Sequence, residues 1–360
     1  MGLVAVDGAA GEFIPGHGSC TVTADRAKCE APTRMRHEAL QWAAVDRVRA
    51  SLAAGEDPLP LHVEVHPTDR CNHRCTFCFH GGAAAEFPSP RPPLSLERYG
   101  QLFTDLAALG IRDLSVSGGG EPTLSPNLPA LLDLALKAGL RVRLVTHGTH
   151  LDAAVSDRLP RLHEVRVSLD AATPATWAAM RQVPEAWFGR ALDTVRGAAG
   201  RGPHTGVSFL VNPGNQHEVG AFVDIVGALP VDAVVFKVDV EPGRRVSRER
   251  YDEAVAPARD RARADPRIDV RPWIDPSPLG RPCRASHVKV AFDPSGTLYS
   301  CCLAAQPRST NGLPFGALED DGFAALWARS RPLRERLARG TPCTTCNMTD
   351  HHINRLLCGP

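Results

Sequence analysis

The sequence predicts an α/β fold in which a curled parallel sheet is covered by helices on its outer face. The main observation is a regular alternation of short β-type segments with helical stretches between residues 59 and 245. Such alternation is typical of parallel strands that are joined by right-handed helical crossovers. The segments are LHVEV, DLSVS, LRVRLV, EVRVSL, GVSFLV and DAVVFKV, at residues 61–65, 113–117, 140–145, 164–169, 206–211 and 232–238. Six such units fall short of the eight in a closed barrel, so we expect a partial (β/α)6 barrel.

A second observation is the alternation of apolar and polar residues within these segments. In the first segment Leu61, Val63 and Val65 alternate with His62 and Glu64, so the two sets point to opposite faces of a strand. The fourth and sixth segments alternate in the same way. The apolar face must meet the helices, and the polar face then lines an open interior. The alternative is that the polar side chains form buried ion pairs between neighbouring strands.

Composition argues against several classes of function. Among the 360 residues, 41 Lys and Arg nearly balance 40 Asp and Glu, and no basic stripe indicates a nucleic-acid partner. No segment has the roughly 18 consecutive apolar residues of a membrane span, and the N-terminus lacks the features of a secretory signal. We therefore expect a cytoplasmic protein without a membrane partner. In a reducing compartment, clustered cysteines more often bind metals or act in catalysis than form disulfides.

The chain divides into three predicted regions. Residues 1–58 form an N-terminal lead-in with one helix over residues 35–55. Residues 59–245 form the barrel, and residues 246–360 form a connector and a cysteine-containing domain. Of the 11 cysteines, Cys20 and Cys29 lie near the start, three lie between residues 71 and 78, and six lie after residue 282. This distribution favours two separate metal regions.

The segment CNHRCTFCFH places Cys71, Cys75 and Cys78 directly after the first predicted strand. Three thiolates can hold three irons of a 4Fe–4S cluster and leave the fourth iron without a protein ligand. Together with His73 or His80 they could instead complete a tetrahedral zinc site. The carboxyl ends of parallel strands are where α/β barrels place their sites. The spacing favours iron–sulfur over zinc.

A second cysteine set follows the pattern C-x12-G-x4-C from Cys283 through Gly296 to Cys301, and a C-x2-C pair follows at Cys343 and Cys346. The segment DPSG, at residues 293–296, predicts a hairpin turn that can bring the first two of these cysteines together. Four cysteines could hold either an iron–sulfur cluster or the zinc ion of a zinc ribbon.

Four motifs occur in order at predicted strand ends: C-x3-C-x-Phe-C, SGGGEP, THG and SLDA. Each motif alone is weak, since a glycine-rich turn before a helix is common. In this combination the sequence resembles the radical S-adenosylmethionine (radical SAM) enzymes, over roughly residues 60–240. The resemblance implies that Cys71, Cys75 and Cys78 bind a 4Fe–4S cluster whose open iron chelates S-adenosylmethionine (SAM).

The resemblance also implies which residues bind SAM. Phe77 would pack near the adenine, and Gly119, Gly120 and Glu121 match the GGEP motif that meets the methionine amino group. A carboxylate suits an ammonium group, and glycines let the backbone approach a ligand closely. These four residues are therefore candidate SAM contacts.

Two further positions complete the implied SAM site. Ser168 and Asp170 match the polar pair that binds the ribose hydroxyls or the methionine end of SAM. THG stands where many members of the family have TNG, so His147 departs from the family pattern.

The region after Cys283 resembles the SPASM/Twitch extension of radical SAM enzymes, which holds one or two auxiliary clusters. The stretch FGALEDDGFAALWARS (315–330) matches the spacer between its ligands. A two-cluster extension would continue with cysteines at positions that His352 and Leu356 occupy here. The resemblance therefore implies a partial (β/α)6 TIM-like barrel with a C-terminal Twitch/SPASM-like iron–sulfur extension that holds one auxiliary cluster. The implied ligands are Cys283, Cys301, Cys343 and Cys346; Cys302 and Cys358 remain, and whether Cys358 or His352 is a ligand stays open.

The implied cofactors are two 4Fe–4S clusters and SAM, with a reducing partner such as flavodoxin or ferredoxin. The family cleaves SAM reductively to a 5′-deoxyadenosyl radical, which removes hydrogen from a C–H bond of the substrate. We expect epimerisation, with Cys302 returning a hydrogen atom. Dehydrogenation, with Lys237 or Asp239 as the base, is nearly as well supported. A non-catalytic metal-scaffold protein is the weakest alternative.

The polar face of the predicted sheet indicates a class of substrate. It carries acids and bases and little aromatic surface, which suits a small polar substrate such as a sugar or aminocyclitol, and we associate such a reaction with antibiotic tailoring. The acids are Glu64, Asp113, Glu164 and Asp239, and the bases are Arg141, Arg143, Arg166 and Lys237. The alternative is a maturase that modifies a ribosomally made peptide, although the first 60 residues contain no clear peptide-binding domain.

Overall fold

The computed structural model describes residues 44–80, 92–241, 243–274, 280–305 and 312–358. Cys20, Cys29 and the first part of the predicted helix over residues 35–55 lie outside the described residues. The described part of that helix, α1, covers residues 44–53. Its buried Val45 and Val48 belong to a small apolar cluster with residues of the C-terminal region, among them Val288. The first described segment is thus packed against the last.

Within the described residues, ten strands form a single sheet. Their order is β10-β9-β8-β1-β2-β3-β4-β5-β6-β7. The strands β1 to β7 are parallel to their neighbours, β8 pairs in parallel with β1, and β9 and β10 continue the sheet antiparallel. The bounds are β1 (His62–Val65), β2 (Asp113–Val116), β3 (Arg141–Thr146), β4 (Glu164–Ser168), β5 (His204–Val211), β6 (Ala233–Val238), β7 (Ile268–Val270), β8 (Lys289–Phe292), β9 (Thr297–Tyr299) and β10 (Pro314–Ala317).

All six predicted strands are present, and the α/β fold with its parallel sheet is confirmed. The sheet also runs past the predicted boundary at residue 245, because β7 extends one edge and β8 to β10 extend the other. The three proposed domain limits themselves stay a prediction.

Helices follow the strands as a crossover topology requires. They are α2 (Leu96–Ala108), α3 (Leu128–Lys137), α4 (Ala153–Ser156), α5 (Pro174–Arg181), α6 (Ala186–Ala198), α7 (Val219–Gly227), α8 (Arg248–Ala254), α9 (Ala256–Ala262), α10 (Gly322–Arg329), α11 (Arg331–Arg339) and α12 (Met348–Cys358). Local sequence explains their starts: the Ser95 hydroxyl caps α2 by accepting a hydrogen bond from the Arg98 amide, and α5 begins with Thr173 as cap and Pro174 in its first turn. None of the described helices is both long enough and apolar enough to cross a bilayer.

The apolar faces of the strands pack against the helices, as the alternation predicts. Val63 and Val65 of β1 are fully buried in one core with Leu102 and Phe103 of α2. The same core continues along the sheet to Phe236 of β6. Burial of this apolar surface is the main driving force for the fold.

The polar face of the sheet carries ion pairs between neighbouring strands. Arg143 Nε of β3 lies 2.6 Å from Glu164 Oε2 of β4, and Lys289 Nζ of β8 lies 2.7 Å from Glu64 Oε2 of β1. The structure therefore bears out the alternative that these residues pair with one another. Each pair joins two strands on the inner face of the sheet.

The predicted DPSG hairpin is present between β8 and β9. The Asp293 carboxylate accepts hydrogen bonds from the backbone amides of Ser295 (2.9 Å) and Thr297 (3.0 Å). Gly296 adopts a positive φ of 78°, and a Cβ at this position would lie 2.8 Å from a methyl carbon of Leu94. The turn thus holds the segment that leads into Cys301 and Cys302 against the barrel.

We expect Gly296→Ala to destabilise the protein more than Gly110→Ala. Both glycines have a φ near +80°, but a Cβ at Gly110 would meet no atom within 4 Å. The shared backbone strain costs about 1–2 kcal/mol, and the additional contact at Gly296 should cost a further ~1–3 kcal/mol. Urea unfolding of the two variants measures the difference; equal losses would show that the contact with Leu94 is readily relieved.

Candidate active site

The cysteine loop, residues 66–80, follows β1 and is fastened to the end of α5. The Arg74 amide donates to the Arg181 carbonyl (3.0 Å), and the Thr76 amide donates to the Met180 carbonyl (2.8 Å). Inside the loop, the His73 amide donates to Cys71 Sγ at 3.4 Å. The loop therefore has a defined backbone path, as a three-cysteine cluster site needs.

The electrostatics of the loop suit thiolates that are bound to a cation. Burial raises the pKa of Cys75 to about 12 and also raises the pKa of Cys71. A buried thiol with a raised pKa loses its proton when metal binding supplies positive charge. The amide donor at Cys71 is a further feature that fits an iron-bound sulfur. Cys71, Cys75 and Cys78 thus form a donor set that fits the implied cluster.

The glycine loop after β2 packs directly on the cysteine loop. The Gly120 amide donates to the Thr68 carbonyl (3.1 Å), and the Glu121 amide donates to the Arg70 carbonyl (2.8 Å). A Cβ at Gly120 would lie 2.1 Å from the Arg70 carbonyl oxygen, and one at Gly119 would lie 2.8 Å from the Asp69 carboxylate. The structure gives these glycines a role that the motif did not suggest, because they admit the cysteine loop. Their contact with SAM stays a prediction.

Glu121 is 3% exposed and joins the ends of β2 and β3. Its Oε1 accepts from the hydroxyls of Thr123 (2.7 Å) and Thr146 (2.6 Å). Its Oε2 accepts from the His147 amide at 2.9 Å. The carboxylate therefore already has several protein donors, and any SAM contact must use its remaining lone pairs.

His147, the departure from TNG, stacks on His73 of the cysteine loop with ring centroids 3.8 Å apart and an angle of 1° between the ring planes. The His73 Nε2 lies 3.0 Å from the Thr149 hydroxyl, which lies 3.0 Å from His147 Nδ1. The His147 Nε2 lies 2.8 Å from Asn72 Oδ1. Every donor in this chain has an acceptor if both rings are neutral with the proton on Nε2, an assignment made from the network. Burial lowers the pKa of His73 to about 2, which agrees with a neutral ring.

Ser168 and Asp170 lie at the end of β4, next to the cysteine loop. Asp170 is 3% exposed and adopts a positive φ of 59°. Its Oδ2 accepts from Arg181 Nη2 at 2.6 Å, and its Oδ1 accepts from the Leu210 amide at 2.8 Å. Burial raises the pKa of Asp170. Backbone strain of this kind at a non-glycine residue is often found at functional sites.

Lys237 and Asp239 lie at the end of β6 and differ in their partners. Asp239 accepts from the Glu241 amide (3.0 Å) and from Arg244 Nε (3.3 Å). Arg244 also donates to the Phe77 carbonyl at 3.3 Å, so it ties Asp239 to the cysteine loop. Burial lowers the pKa of Lys237 to about 8.

The second cysteine set is influenced by a buried carboxylate. Burial raises the pKa of Cys283 to about 12, and the nearby charges of Cys343 and Asp350 raise it further. Burial, and after it the charge of Asp350, also raises the pKa of Cys301 and Cys346. Asp350, which is 2% exposed, thus acts on three of the four predicted ligands, although no spacing pattern identified it.

The donors around Cys343 also suit a thiolate. Its Sγ accepts from the Gly312 amide and from the Thr341 hydroxyl, both at 2.8 Å. His352 and Cys358, the two open alternatives, are both exposed on α12. Ligation of a second cluster by this set stays a prediction.

No three His, Cys, Asp or Glu side chains in the described parts of the chain converge as the ligands of one metal ion do. In a 4Fe–4S cluster the cysteines bind different iron atoms, and their sulfur atoms therefore stand further apart than in a zinc site.

Cys302 lies between the second cysteine set and the inner face of the sheet. Its Sγ is 3.7 Å from Lys289 Nζ and 3.7 Å from Asn347 Nδ2. Lys289 also pairs with Glu64 of β1. The structure thus connects Cys302 to the barrel interior through one lysine, which the sequence analysis did not single out.

Arg181 is a third residue that the sequence analysis missed, after Asp350 and Lys289. It lies at the end of α5, outside every motif. Its contacts with the cysteine loop join residues that are far apart in the sequence; Cys75, for example, lies 106 positions before it. No local spacing signals such a contact.

The chain is similar to several known proteins. Residues 65–226 match the Radical SAM superfamily. Fe-coproporphyrin III synthase of Methanosarcina barkeri is 31% identical over 181 residues, which cover 49% of this chain and 43% of the synthase. Mycofactocin maturase MftC of Mycobacterium ulcerans is 26% identical over 329 residues, which cover 85% of each chain. PqqA peptide cyclase of Streptomyces rochei is 29% identical over 179 residues, which cover 49% of this chain and 47% of the cyclase. This chain therefore matches less than half the length of the synthase and of the cyclase.

A solved structure shares the fold. The crystal structure of Streptococcus suis SuiB bound to precursor peptide SuiA has a TM-score of 0.61 and 15% sequence identity, and the match covers 77% of this chain and 66% of SuiB. At this identity the likeness concerns the fold alone. Together with the cysteine loop and the glycine loop at the carboxyl ends of β1 and β2, the match identifies residues 65–226 as a domain of the radical SAM superfamily.

Proposed function

We propose that this radical SAM enzyme modifies a ribosomally made peptide and carries an auxiliary 4Fe–4S cluster in residues 246–360. The observation that carries the proposal is the match to mycofactocin maturase MftC, which covers 85% of both chains and so extends well beyond the radical SAM domain. The names of two further similar proteins specify a peptide, PqqA peptide cyclase and SuiB with its precursor peptide SuiA.

The inner face of the sheet gives less support to a sugar or aminocyclitol. Recognition of a small polar molecule needs charged groups that are free to bind it. Glu64 pairs with Lys289, and Glu164 pairs with Arg143 and Arg166. Most of the charges that suggested such a substrate thus neutralise one another.

The proposed cofactor sites follow from the donor sets. When bound, the first cluster and SAM together supply the 5′-deoxyadenosyl radical. The first cluster would be held by Cys71, Cys75 and Cys78, and the second by Cys283, Cys301, Cys343 and Cys346. Phe77, Gly119, Gly120, Glu121, Ser168 and Asp170 would surround SAM. A flavodoxin or ferredoxin would supply the electron.

Lys237 is the proposed base of an oxidative reaction. A base at this site must have an accessible neutral form near physiological pH, and the pKa of Lys237 is lowered to about 8, first by burial and then by the charge of Arg166. None of the carboxylates in the described part of the chain lies within ion-pair distance of Lys237. Asp239 is a weaker candidate because Arg244 already pairs with it.

Cys302 supports a second candidate reaction, epimerisation. Its thiol is connected to the barrel interior through Lys289, at 3.7 Å. In heavy water an epimerase would place one solvent deuterium on the product carbon. An oxidised product without solvent label would assign the reaction to Lys237 instead.

The substrate class can be tested with the reconstituted protein. We expect reduced protein to form 5′-deoxyadenosine and to change the mass of its cognate peptide from a translated precursor library. Deuterated sugars and aminocyclitols should transfer no label to 5′-deoxyadenosine. Label transfer from a deuterated sugar or aminocyclitol, without a mass change in any peptide, would instead support modification of a small polar molecule.

The matched control is the variant with Cys71, Cys75 and Cys78 all changed to Ala. It should form no 5′-deoxyadenosine, yet it should keep the visible absorbance and about four irons of the second cluster. Loss of all iron in this variant would contradict an independent auxiliary cluster.

We expect Glu121→Gln to weaken SAM binding and to lower the free energy of unfolding. The change removes a charge-assisted acceptor of the His147 amide, which costs roughly 1.5–3 kcal/mol. Asp105→Asn on α2 is the control, since that carboxylate also accepts a backbone amide, from Phe323. Isothermal titration and urea unfolding should show that only the Glu121 variant loses SAM affinity; a loss of stability alone would leave Glu121 with a purely structural role.

We expect the rate of product formation to rise with pH through about 8 and to level off above it, because the Lys237 amine accepts a proton only when it is neutral and becomes neutral as pH passes its pKa. Lys237→Met should still form 5′-deoxyadenosine but lose this pH dependence and at least about 100-fold of the product rate. Lys137→Met on α3 is the control. A Lys237 variant with the wild-type profile would remove Lys237 as the base.

A further inference from the structure

Arg181 occupies the centre of the contacts between the cysteine loop and β4. The residue is 3% exposed, at the last position of α5. Its Nη2 donates to Asp170 Oδ2 at 2.6 Å and to the Ser168 carbonyl at 2.7 Å. Its Nη1 lies 3.5 Å from His73 Nδ1 and 4.0 Å from Cys75 Sγ. One guanidinium therefore contacts both halves of the proposed SAM and cluster site.

Two aromatic rings, those of Phe77 and Trp177, pack against the same guanidinium. The carbon at its centre lies 5.5 Å from the ring centroid of Phe77 and 5.1 Å from that of Trp177, within the range of cation–π attraction. Phe77 belongs to the cysteine loop, and Trp177 belongs to α5. The rings leave the planar group little freedom to turn, so its donors keep their directions.

The Arg181 Nε has no hydrogen-bond acceptor among the described residues, although it is buried. A buried donor without an acceptor is costly. The guanidinium thus has one unsatisfied N–H donor, on Nε. Arginine keeps its charge at every physiological pH, so this site holds a permanent positive charge 4.0 Å from a predicted cluster ligand.

We infer that Arg181 is a positioning residue with two separable effects. Its charge stabilises the reduced form of the first cluster, and its hydrogen bonds to Ser168 and Asp170 hold these two residues in position for SAM. The inference rests on the first cluster and SAM of the superfamily but not on the identity of the substrate. A fixed positive charge near a cluster favours the more negative, reduced state. Nη2 makes both hydrogen bonds at the end of β4 while Nη1 faces the cysteine loop, and only the planar guanidinium of arginine spans the two sides in this way, because lysine offers a single charged nitrogen.

The test compares Arg181→Gln and Arg181→Lys with a matched control. Arg334 is 1% exposed, lies 3.6 Å from the ring centroid of Trp327 and donates to the Trp327 carbonyl at 2.6 Å. It is thus also a buried guanidinium on a tryptophan, but it lies on α11, where no proposed site residue is found. Arg334→Gln therefore reports the effect of losing a buried arginine in general.

Three quantities are measured on reconstituted protein without substrate: iron content, the reduction potential of the cluster whose EPR signal changes when SAM is added, and the dissociation constant of SAM. Arg181→Gln should lower the potential and weaken SAM binding by about tenfold or more, the loss expected for a hydrogen bond to a charged group. Arg181→Lys should keep the potential near that of the wild type and still lose the SAM affinity. Arg334→Gln should lower the melting temperature and leave both site quantities unchanged.

Each effect has its own contrary outcome. An unchanged potential in Arg181→Gln would refute the charge effect, and wild-type SAM affinity in Arg181→Lys would refute the positioning effect. If Arg181→Gln fails to retain iron, the test rests on Arg181→Lys alone. The inference then stands only if this variant keeps the wild-type reduction potential and loses SAM affinity. Absence of a SAM-dependent EPR change in the wild-type protein would instead contradict the cofactor assignment itself.

Discussion

The candidate site depends on the close approach of two backbone segments, the glycine loop after β2 and the cysteine loop after β1. At Gly120 there is no room for a Cβ, because the Arg70 carbonyl oxygen would lie 2.1 Å from it. This approach allows the hydrogen bonds from Gly120 to Thr68 and from Glu121 to Arg70. The cysteine loop also contacts His147 after β3 and Arg181 at the end of α5, in both cases through His73. The main-chain contacts with the glycine loop thus position the cysteine loop against these two further segments.

The polar interior of the sheet is organised by paired charges. Buried charges are costly unless they are paired and hydrogen-bonded. The strand alternation places acids and bases on the inner face, and the pairs between β3 and β4 and between β1 and β8 satisfy them. Lys237 is different, because burial lowers its pKa without a pairing carboxylate in the described residues. A group that stays unpaired in such a setting is a candidate for chemistry.

The C-terminal region is joined to the barrel through the sheet itself. β8 pairs in parallel with β1, so Lys289 lies beside Glu64 and within reach of Cys302. Cys283 and Cys301 therefore flank the strands β8 and β9, which are continuous with the barrel, whereas Cys343 and Cys346 lie between α11 and α12. Strand pairing thus holds the segment around Cys301 next to the first barrel strand. The sheet therefore continues at both edges with strands that lie after residue 245 in the sequence.

The sequence by itself determined the six parallel strands, the hairpin at residues 293–296 and the two cysteine sets. These are local signals: period-two alternation, turn residues and ligand spacing are all written within a few neighbouring positions. The order of four motifs at strand ends also determined the superfamily.

Only the tertiary structure decided that β8 joins β1, that the inner charges pair, that His147 stacks on His73, and that Arg181 and Asp350 lie among the predicted ligands. The reason is physical. Each of these contacts depends on where two distant segments meet. His73 and Thr149 are 76 positions apart in the sequence, and Cys75 and Arg181 are 106 positions apart. Their meeting is determined by the packing of the whole sheet and its helices, which no short stretch of sequence encodes.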